Sequence, residues 1–387
     1  MDTRNFEAAM MYLRSMVGGS LQYMILYVTS RCNAKCRMCF NWDGMINRRP
    51  LPQHTLEDLE RLARSVKLLP QITLSGGEPL LRDDVHAIIK AFYDHSRTRF
   101  FTVPTNSFQP KRVEALINRF VEECPDGFLN FCLPFHGLKE THDNIMGVPE
   151  SYEKRNETYR RVCEAREKHK NISCVLNCVM SKYNHAEYRE IVDLAMDQFP
   201  GAPLGVAFTR GKTHESGAGD FPLEDYQAMQ AYLQERRSAI PGLNPYTRIQ
   251  QAISRQYCDT ISGVIGGSVK NINCQAGKRL IVVHDTGTVY PCETLETPGM
   301  CTAEDPPKDA CLGNLHDFGY DLPKLLAAEK ARNVVDWIQN NPCACTWECA
   351  VTNSVTHTAG NALKLGKDIV KDVTASAFSG GNGRAKD

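Results

Sequence analysis

The chain predicts an α/β fold built on a parallel sheet, and three observations carry that reading. Short apolar runs recur between residues 23 and 208, and a stretch with helical spacing follows each of them. The polar residues best suited to chemistry fall just after the runs: a cysteine-rich loop, Glu78, Asn106, His136 and Arg210. Strands that alternate with helices pair in parallel through right-handed crossovers, and such sheets gather their functional loops at the carboxyl ends of the strands.

Met24-Ile25-Leu26-Tyr27-Val28 reads as the first strand, apolar enough to be buried on both faces. Thr55 caps a helix with Asp58 three residues on, and Leu56, Leu59, Leu62 and Val66 make its buried stripe. Ile72-Thr73-Leu74 is a second strand ending at a Gly-Gly-Glu turn, followed by a helical face of Val85, Ile88, Ile89 and Phe92. Arg99-Phe100-Phe101-Thr102-Val103 is the third strand, leading into Pro104-Thr105-Asn106-Ser107, and Val113, Leu116, Ile117 and Phe120 mark the next helix. Leu129-Asn130-Phe131-Cys132-Leu133 is the fourth strand and runs into Pro134-Phe135-His136-Gly137, with a helix over 151–169 behind it. The fifth strand is Ile172 to Val179. Asn184 and Glu187 read as a capping box for a helix with the stripe Tyr188, Ile191, Val192 and Ala195. Leu204-Gly205-Val206-Ala207-Phe208 is the sixth strand and ends at Thr209-Arg210-Gly211.

Around this alternation, residues 1–22 read as a lead-in helix and Thr213–Gly219 as a polar, glycine-rich linker or lid. Residues 216–273 read as a bridge that is helical over 222–259, with Leu223, Tyr226, Met229, Tyr232 and Leu233 as its buried positions. Residues 356–387 read as a C-terminal helix and a disordered tail. Equal numbers of basic and acidic residues, 45 each, provide no global field for nucleic acid or an anionic membrane. No apolar run has the length of a bilayer span, and the start lacks the regions of a signal peptide. Sixteen cysteines in a chain of this length suit a reducing cytoplasm in which thiols serve metal.

Cys32-x3-Cys36-x2-Cys39 follows the first strand directly. Three thiolates on one short loop can hold three corners of a cubane iron–sulfur cluster, leaving the fourth iron open to a ligand that is not protein. Structural zinc is the alternative, but it takes four ligands, and no fourth Cys or His follows at the usual spacing. Farther on, Gly76-Gly77 lets the backbone pass close to a ligand, with Glu78 and exposed carbonyls able to receive an ammonium group.

The cysteine triplet together with Leu74-Ser75-Gly76-Gly77-Glu78-Pro79, one helix later, resembles the radical SAM superfamily. The resemblance implies a partial (β/α)6 TIM-like barrel over 23–215. It implies a catalytic [4Fe–4S] cluster on Cys32, Cys36 and Cys39, and S-adenosylmethionine chelating the open iron. An electron, from a donor such as flavodoxin or ferredoxin, then releases a 5′-deoxyadenosyl radical that abstracts hydrogen from a substrate. Ser75, Gly76, Gly77, Glu78 and Pro79 are the implied cofactor grip. Thr105-Asn106-Ser107 resembles the family's TNG, which makes Asn106 a further cofactor contact, and Arg210-Gly211 matches a common ending of the sixth strand. Arg210 is read either as a hold on the methionyl carboxylate or as half of a structural ion pair. Thr141 to Gly147 resembles the HDxIRG stretch of relatives with a second cluster, Met146 standing in place of Arg. Pro134 takes the place of a ribose-contacting Ser, and Met38 that of an aromatic.

A second cysteine group begins at Cys274. Residues 279–283 and 288–290 flank Asp285-Thr286-Gly287 as a hairpin, which brings Cys274 towards Cys292. Leu312-Gly313-Asn314-Leu315 and then Cys343-x-Cys345-x3-Cys349 follow. That order resembles the SPASM/twitch extension and implies a small hairpin-plus-helix iron–sulfur domain over 274–355. Cys274, Cys292 and two of Cys343, Cys345 and Cys349 would complete one auxiliary [4Fe–4S] cluster. A second cluster would recruit Cys258, Cys301 or Cys311, and zinc is the competing fill. Cys124, Cys132, Cys163, Cys174 and Cys178 read as small buried hydrophobes.

The expected function is therefore radical chemistry on a small molecule or peptide, with the auxiliary cluster for electron transfer or substrate binding. A non-catalytic iron–sulfur or zinc scaffold on the same fold is the second reading. The short stretch before the first strand tilts the substrate towards a small molecule or a separately presented peptide. His136, His142, Tyr183 and His214 are unranked candidates for a catalytic acid or base, so the catalytic residue itself stays unknown.

Overall fold

The computed structural model describes residues 21–42, 53–238, 245–296 and 306–357. Residues 1–20 of the lead-in helix expected over 1–22, Cys301, and residues 358–387 of the C-terminal helix and tail expected over 356–387 lie outside these. Among the described residues, no helix is long and apolar enough to cross a membrane.

One nine-stranded sheet organises the chain, in the order β6-β5-β4-β3-β2-β1-β7-β8-β9. Its first six strands are β1 (Tyr23–Thr29), β2 (Gln71–Gly76), β3 (Phe100–Pro104), β4 (Phe128–Pro134), β5 (Ile172–Met180) and β6 (Leu204–Phe208). Each pairs in parallel with its neighbour in sequence. The crossovers are α1 (Leu56–Ser65), α2 (Val85–His95), α3 (Pro110–Glu123), α4 (Lys139–Met146) with α5 (Ser151–Lys168), and α6 (Tyr188–Gln198). This is the expected partial barrel, with strand boundaries within about two residues of those the apolar runs predict. The Thr55 capping box is present: its hydroxyl accepts from the Asp58 N–H at 3.1 Å, and Asp58 accepts in return from the Thr55 N–H at 3.0 Å.

Side-chain alternation gives the six strands two different faces. Leu26, Leu74, Phe101, Val103, Leu129, Phe131, Leu133 and Leu176 are buried in the main hydrophobic core, each buried side chain contributing roughly 2 kcal/mol. The opposite face carries a polar layer. Thr73, Thr102, Asn130 and Ser173 stand in register across four strands, with the apolar Ile25 of β1 next in line. The Tyr23 hydroxyl meets Thr73 Oγ1 at 2.7 Å, and Ser173 donates to Asn130 Oδ1 at 2.9 Å, which fixes these groups on one side.

The C-terminal hairpin is not a separate sheet. β7 (Leu280–Val283) pairs in parallel with β1, and β8 (Thr288–Tyr290) and β9 (Gly313–Asn314) follow antiparallel. β1 would otherwise be a bare sheet edge, with unpaired backbone groups, and β7 covers it. The segment read as one helical bridge is α7 (Leu223–Ser238) and α8 (Pro245–Ile265). Beyond the hairpin come α9 (Glu329–Asn340) and α10 (Glu348–His357).

Asn184 does not cap α6. A 3-10 turn, His185–Glu187, precedes that helix, and Asn184 is buried. Its Oδ1 accepts from the Ser181 N–H at 2.7 Å, and its Nδ2 donates to the carbonyls of His136 at 2.7 Å and Val179 at 3.0 Å. The amide ties the carboxyl ends of β4 and β5 together, a long-range use that outcompetes the local box.

Candidate active site

The three cysteines sit on the loop that leaves β1, framed on every side by backbone hydrogen bonds. Cys39 N–H closes onto Cys36 O at 3.1 Å. The end of α4 holds one flank, with Lys35 N–H donating to Met146 O at 3.1 Å and Arg37 N–H to Ile145 O at 2.9 Å. The segment after β6 holds the other: His214 N–H donates to Cys39 O at 3.0 Å and Glu215 N–H to Arg37 O at 2.8 Å. Thus the HDxIRG-like stretch, whose sulfur Met146 Sδ lies 3.7 Å from Cys36 Sγ, and the presumptive linker 213–219 both form the seat of the loop.

A clamp that local sequence does not reveal reinforces this seat. Arg37 grips Glu215 bidentately at 2.6 and 2.8 Å, Tyr183 donates to the same carboxylate at 2.6 Å, and Arg37 Nη1 reaches Asn144 Oδ1 at 2.9 Å. The bonds from Arg37 and Tyr183 pull the Glu215 carboxyl down to about 2. Residues 178 positions apart in the chain meet here, so no window of sequence could have paired them.

The Gly-Gly-Glu turn interlocks with the same loop. Gly77 N–H donates to Thr29 O and Glu78 N–H to Arg31 O, both at 2.8 Å. A Cβ on Gly76 would stand 2.1 Å from Thr29 O, and one on Gly77 would stand 2.2 Å from Arg31 O. The glycines are therefore needed first for contact with the cysteine loop rather than with a ligand.

Glu78 also differs from the expected ammonium grip. It is buried, and its carboxylate accepts from Leu80 N–H at 3.0 Å, Thr105 Oγ1 at 2.9 Å and Asn106 N–H at 2.6 Å. It braces the end of β2 to the end of β3. Asn106 carries the brace on to the cysteine loop, with Nδ2 donating to Asn33 Oδ1 at 2.6 Å. Ser75 stands opposite Tyr27 in the register, and Pro79 opens a short 3-10 turn.

Burial pushes the Glu78 carboxyl up to about 7, against the pull of its three donors. A folded-state value above the unfolded one means that the native state binds the extra proton. Stability should therefore fall as pH rises from about 4.5 to about 7 and then level off, by up to about 3 kcal/mol. Urea unfolding across that window, with Glu78→Gln showing a flatter profile than wild type, checks the assignment.

The donor set fits an iron–sulfur cluster. Burial raises all three thiols, Cys39 to about 12, and a bound metal would supply the charge that keeps them as thiolates. Among the described residues, no group of three or more Cys, His, Asp or Glu side chains is arranged to hold a metal ion.

The four acid–base candidates divide into two pairs. His136 and His142 are buried together: Val179 N–H donates to His136 Nδ1 and His136 N–H to His142 Nδ1, each at 3.2 Å. Burial lowers both, His136 to about 3, so they are neutral supports of the loop after β4. Tyr183 and His214 flank the cysteine loop, Tyr183 through Glu215 and His214 beside the Trp42 ring at 5.5 Å.

The second cysteine group closes the open side of the barrel. Cys292 is raised by burial and by its neighbours Cys274 and Cys345, and all three are buried. Ile272 N–H donates to Cys343 O at 3.0 Å, so Cys343 joins the same locality. Cys349 faces the barrel instead: Tyr23 Oη lies 3.8 Å from its sulfur. Arg210 does not stand free for a carboxylate ligand. It pairs with Glu348 and donates to Thr346 O at 2.9 Å, the structural ion pair of the two alternatives. With Tyr27 donating to Glu293, the cysteine segments reach both β1 and the end of β6. Cys258 lies on α8 beside Tyr257 and Arg237, and Cys311 is hydrogen-bonded to Gly313 O at 3.5 Å. Cys124, Cys174 and Cys178 are core residues as expected, whereas Cys132 and Cys163 are only half-buried.

The fold and site together are a parallel α/β barrel whose first strand delivers three cysteines onto a glycine-built turn. Residues 26–195 match the Radical SAM superfamily model, so the chain carries a radical SAM domain, and members of that superfamily are enzymes. Pre-heme d1 synthase of Dinoroseobacter shibae is 28% identical over 45% of this chain and 40% of its own length. GTP 3′,8-cyclase of Alkaliphilus metalliredigens is 25% identical over 70% of this chain and 81% of its own. The chain spans well under two thirds of the length of the first curated relatives it matches. Among solved structures, SuiB of Streptococcus suis bound to S-adenosylmethionine shares the fold, with a TM-score of 0.58, 16% identity, and coverage of 86% of this chain and 72% of that one. The same protein has been solved with its precursor peptide SuiA (TM-score 0.53, 17% identity, 83% of this chain and 70% of that one).

Proposed function

We propose that this protein reductively cleaves S-adenosylmethionine and uses the resulting 5′-deoxyadenosyl radical to abstract hydrogen from a polar small molecule or a peptide. The observation that carries the proposal is the interlock of the Gly76-Gly77-Glu78 turn with Thr29 and Arg31, which fixes a cofactor-binding turn against the three-cysteine loop. When bound, the cluster and cofactor supply the one-electron chemistry. Cys32, Cys36 and Cys39 hold the cluster. The turn, with Ser75 and Pro79 at its ends and Glu78 and Asn106 bracing it, shapes the methionyl seat. The Arg37–Glu215 clamp holds the loop against the segment after β6.

Cys274, Cys292, Cys343 and Cys345 are the proposed ligands of one auxiliary [4Fe–4S] cluster, with Cys349 turned towards Tyr23 at the barrel floor. Their position across the opening between β1 and β6 suits electron transfer with a substrate radical. The domain division is proposed as a barrel over 23–215 and a cysteine-bearing C-terminal part over 274–355 that shares its sheet. For the substrate, the layer of Thr73, Thr102, Asn130 and Ser173 favours a hydrogen-bonding molecule. Both a peptide, as in SuiB with SuiA, and small molecules, as the names of the curated relatives indicate, meet that requirement.

Anaerobic reconstitution should give broad absorption near about 400 nm and roughly eight iron and eight sulfide per chain, the content of two cubanes. Reduction with dithionite in the presence of S-adenosylmethionine should yield 5′-deoxyadenosine. A colourless protein that binds zinc tightly and forms no 5′-deoxyadenosine would overturn the proposal.

A further inference from the structure

Beside the cysteine loop, α2 and α3 leave a groove of about 290 Å³ whose polar lining is Arg82, Asp83, His86, Arg112 and Arg119 over an apolar floor that includes Leu80. Its cationic groups are not all neutralised. Arg82 pairs with Asp84 at 2.6 Å and Arg112 with Asp83 at 2.8 Å. Arg119 is exposed, and its Nη1 meets His86 Nε2 at 3.1 Å. Lys111 is exposed on the same helix. Arg31, exposed and immediately before Cys32, adds a fifth cation, its Nη2 reaching Leu81 O at 3.4 Å. Five cationic side chains (Arg31, Arg82, Lys111, Arg112, Arg119) against Asp83 and Asp84 leave a local charge of +3 on a chain whose formal net charge is zero. Arg31 and Lys111 stand outside the lining itself, and the surplus of positive charge they and Arg119 leave around an apolar floor is the form that steers and seats a partner of the opposite sign.

The groove is mechanically continuous with the cysteine loop. Arg112 Nη1 donates to Leu80 O at 2.7 Å and Arg82 Nη1 to Val28 O at 2.8 Å. Leu80–Arg82 continues the turn whose Gly77 and Glu78 N–H groups bond to Thr29 O and Arg31 O. A protein seated in the groove therefore presses on the segment that leads into Cys32.

We propose that this groove docks the electron donor, an acidic one-electron carrier of the flavodoxin type. This rests on the reductive cleavage proposed above. In the step it serves, the donor's flavin hydroquinone is oxidised to the semiquinone, and its single electron breaks the C5′–S bond of the sulfonium, giving methionine and the deoxyadenosyl radical.

The test compares wild type with the double variant Lys111→Glu/Arg119→Glu, both reconstituted, and measures 5′-deoxyadenosine formation with two reductants; Arg112, which holds Leu80 O, is left in place. With enzymatically reduced flavodoxin at about 20 mM salt, the variant should be at least about tenfold slower than wild type. Raising salt to about 200 mM should slow wild type towards the variant and leave the variant nearly unchanged. With dithionite, which needs no docking face, the two proteins should be equally active. Equal flavodoxin-driven rates would overturn the assignment, as would an equal loss with both reductants, which would place the groove in support of the fold. Wild-type protein that forms no 5′-deoxyadenosine with either reductant would remove the cleavage reaction and this proposal with it.

Discussion

Cys36→Ser protein, reconstituted anaerobically, should lose the iron of the first site and form 5′-deoxyadenosine at least about a hundredfold more slowly than wild type. Cys36 is the middle one of the three proposed ligands, and no fourth protein donor stands in reserve at the usual spacing. A serine hydroxyl ionises far above any working pH and is a poor match for iron that thiolates hold. The loop itself should survive, because backbone bonds from Met146, Ile145 and Thr29 and the Arg37–Glu215 clamp hold it in place. Iron analysis should then show about half the wild-type content, from the auxiliary cysteines alone, with circular dichroism unchanged. Cys274→Ser should do the reverse, losing the other half of the iron while retaining cleavage of S-adenosylmethionine. If Cys36→Ser keeps full iron and full activity, the triplet is not the catalytic seat.

The barrel was readable because its information is local. An apolar run of four to six residues, a helix stripe and a turn repeat six times, and each unit specifies its own element before any long-range contact is made. The cysteine loop and the Gly-Gly-Glu turn were readable for the same reason. What the sequence hid depends on partners far away in the chain. Thr55 and Asp58 form their box because both ends lie on one exposed helix start, whereas Asn184 is buried and serves His136 and Val179 instead. Arg210 offered two readings, and the partner that gives it an ion pair, Glu348, lies 138 residues on, beyond any local pattern. The hairpin was found as a hairpin, but nothing in residues 280–290 says that its first strand will lie parallel to β1.

The same long-range logic makes Gly77→Ala a severe change despite its size. A Cβ there would stand 2.2 Å from Arg31 O, 2.6 Å from Arg31 C and 2.8 Å from Ser30 O. All three atoms are backbone of the segment entering the cysteine loop, so no side chain can rotate away. The loop must move, and moving it breaks the Gly77 N–H bond to Thr29 O and the Glu78 N–H bond to Arg31 O. Overpacking of this kind costs about 1–3 kcal/mol, and the lost bonds add roughly 1 kcal/mol each. The expected result is a lower urea midpoint, incomplete loading of the first cluster and weak binding of S-adenosylmethionine. Gly267→Ala provides the control. That residue has φ +75° but nothing within 4 Å of its Cβ, so an alanine there meets backbone strain of about 1–2 kcal/mol without a collision. Gly267→Ala should load iron normally and bind the cofactor as wild type does. Should Gly77→Ala match it in stability, iron content and cofactor affinity, the turn and the loop are not the single interlocked body on which the cofactor seat depends.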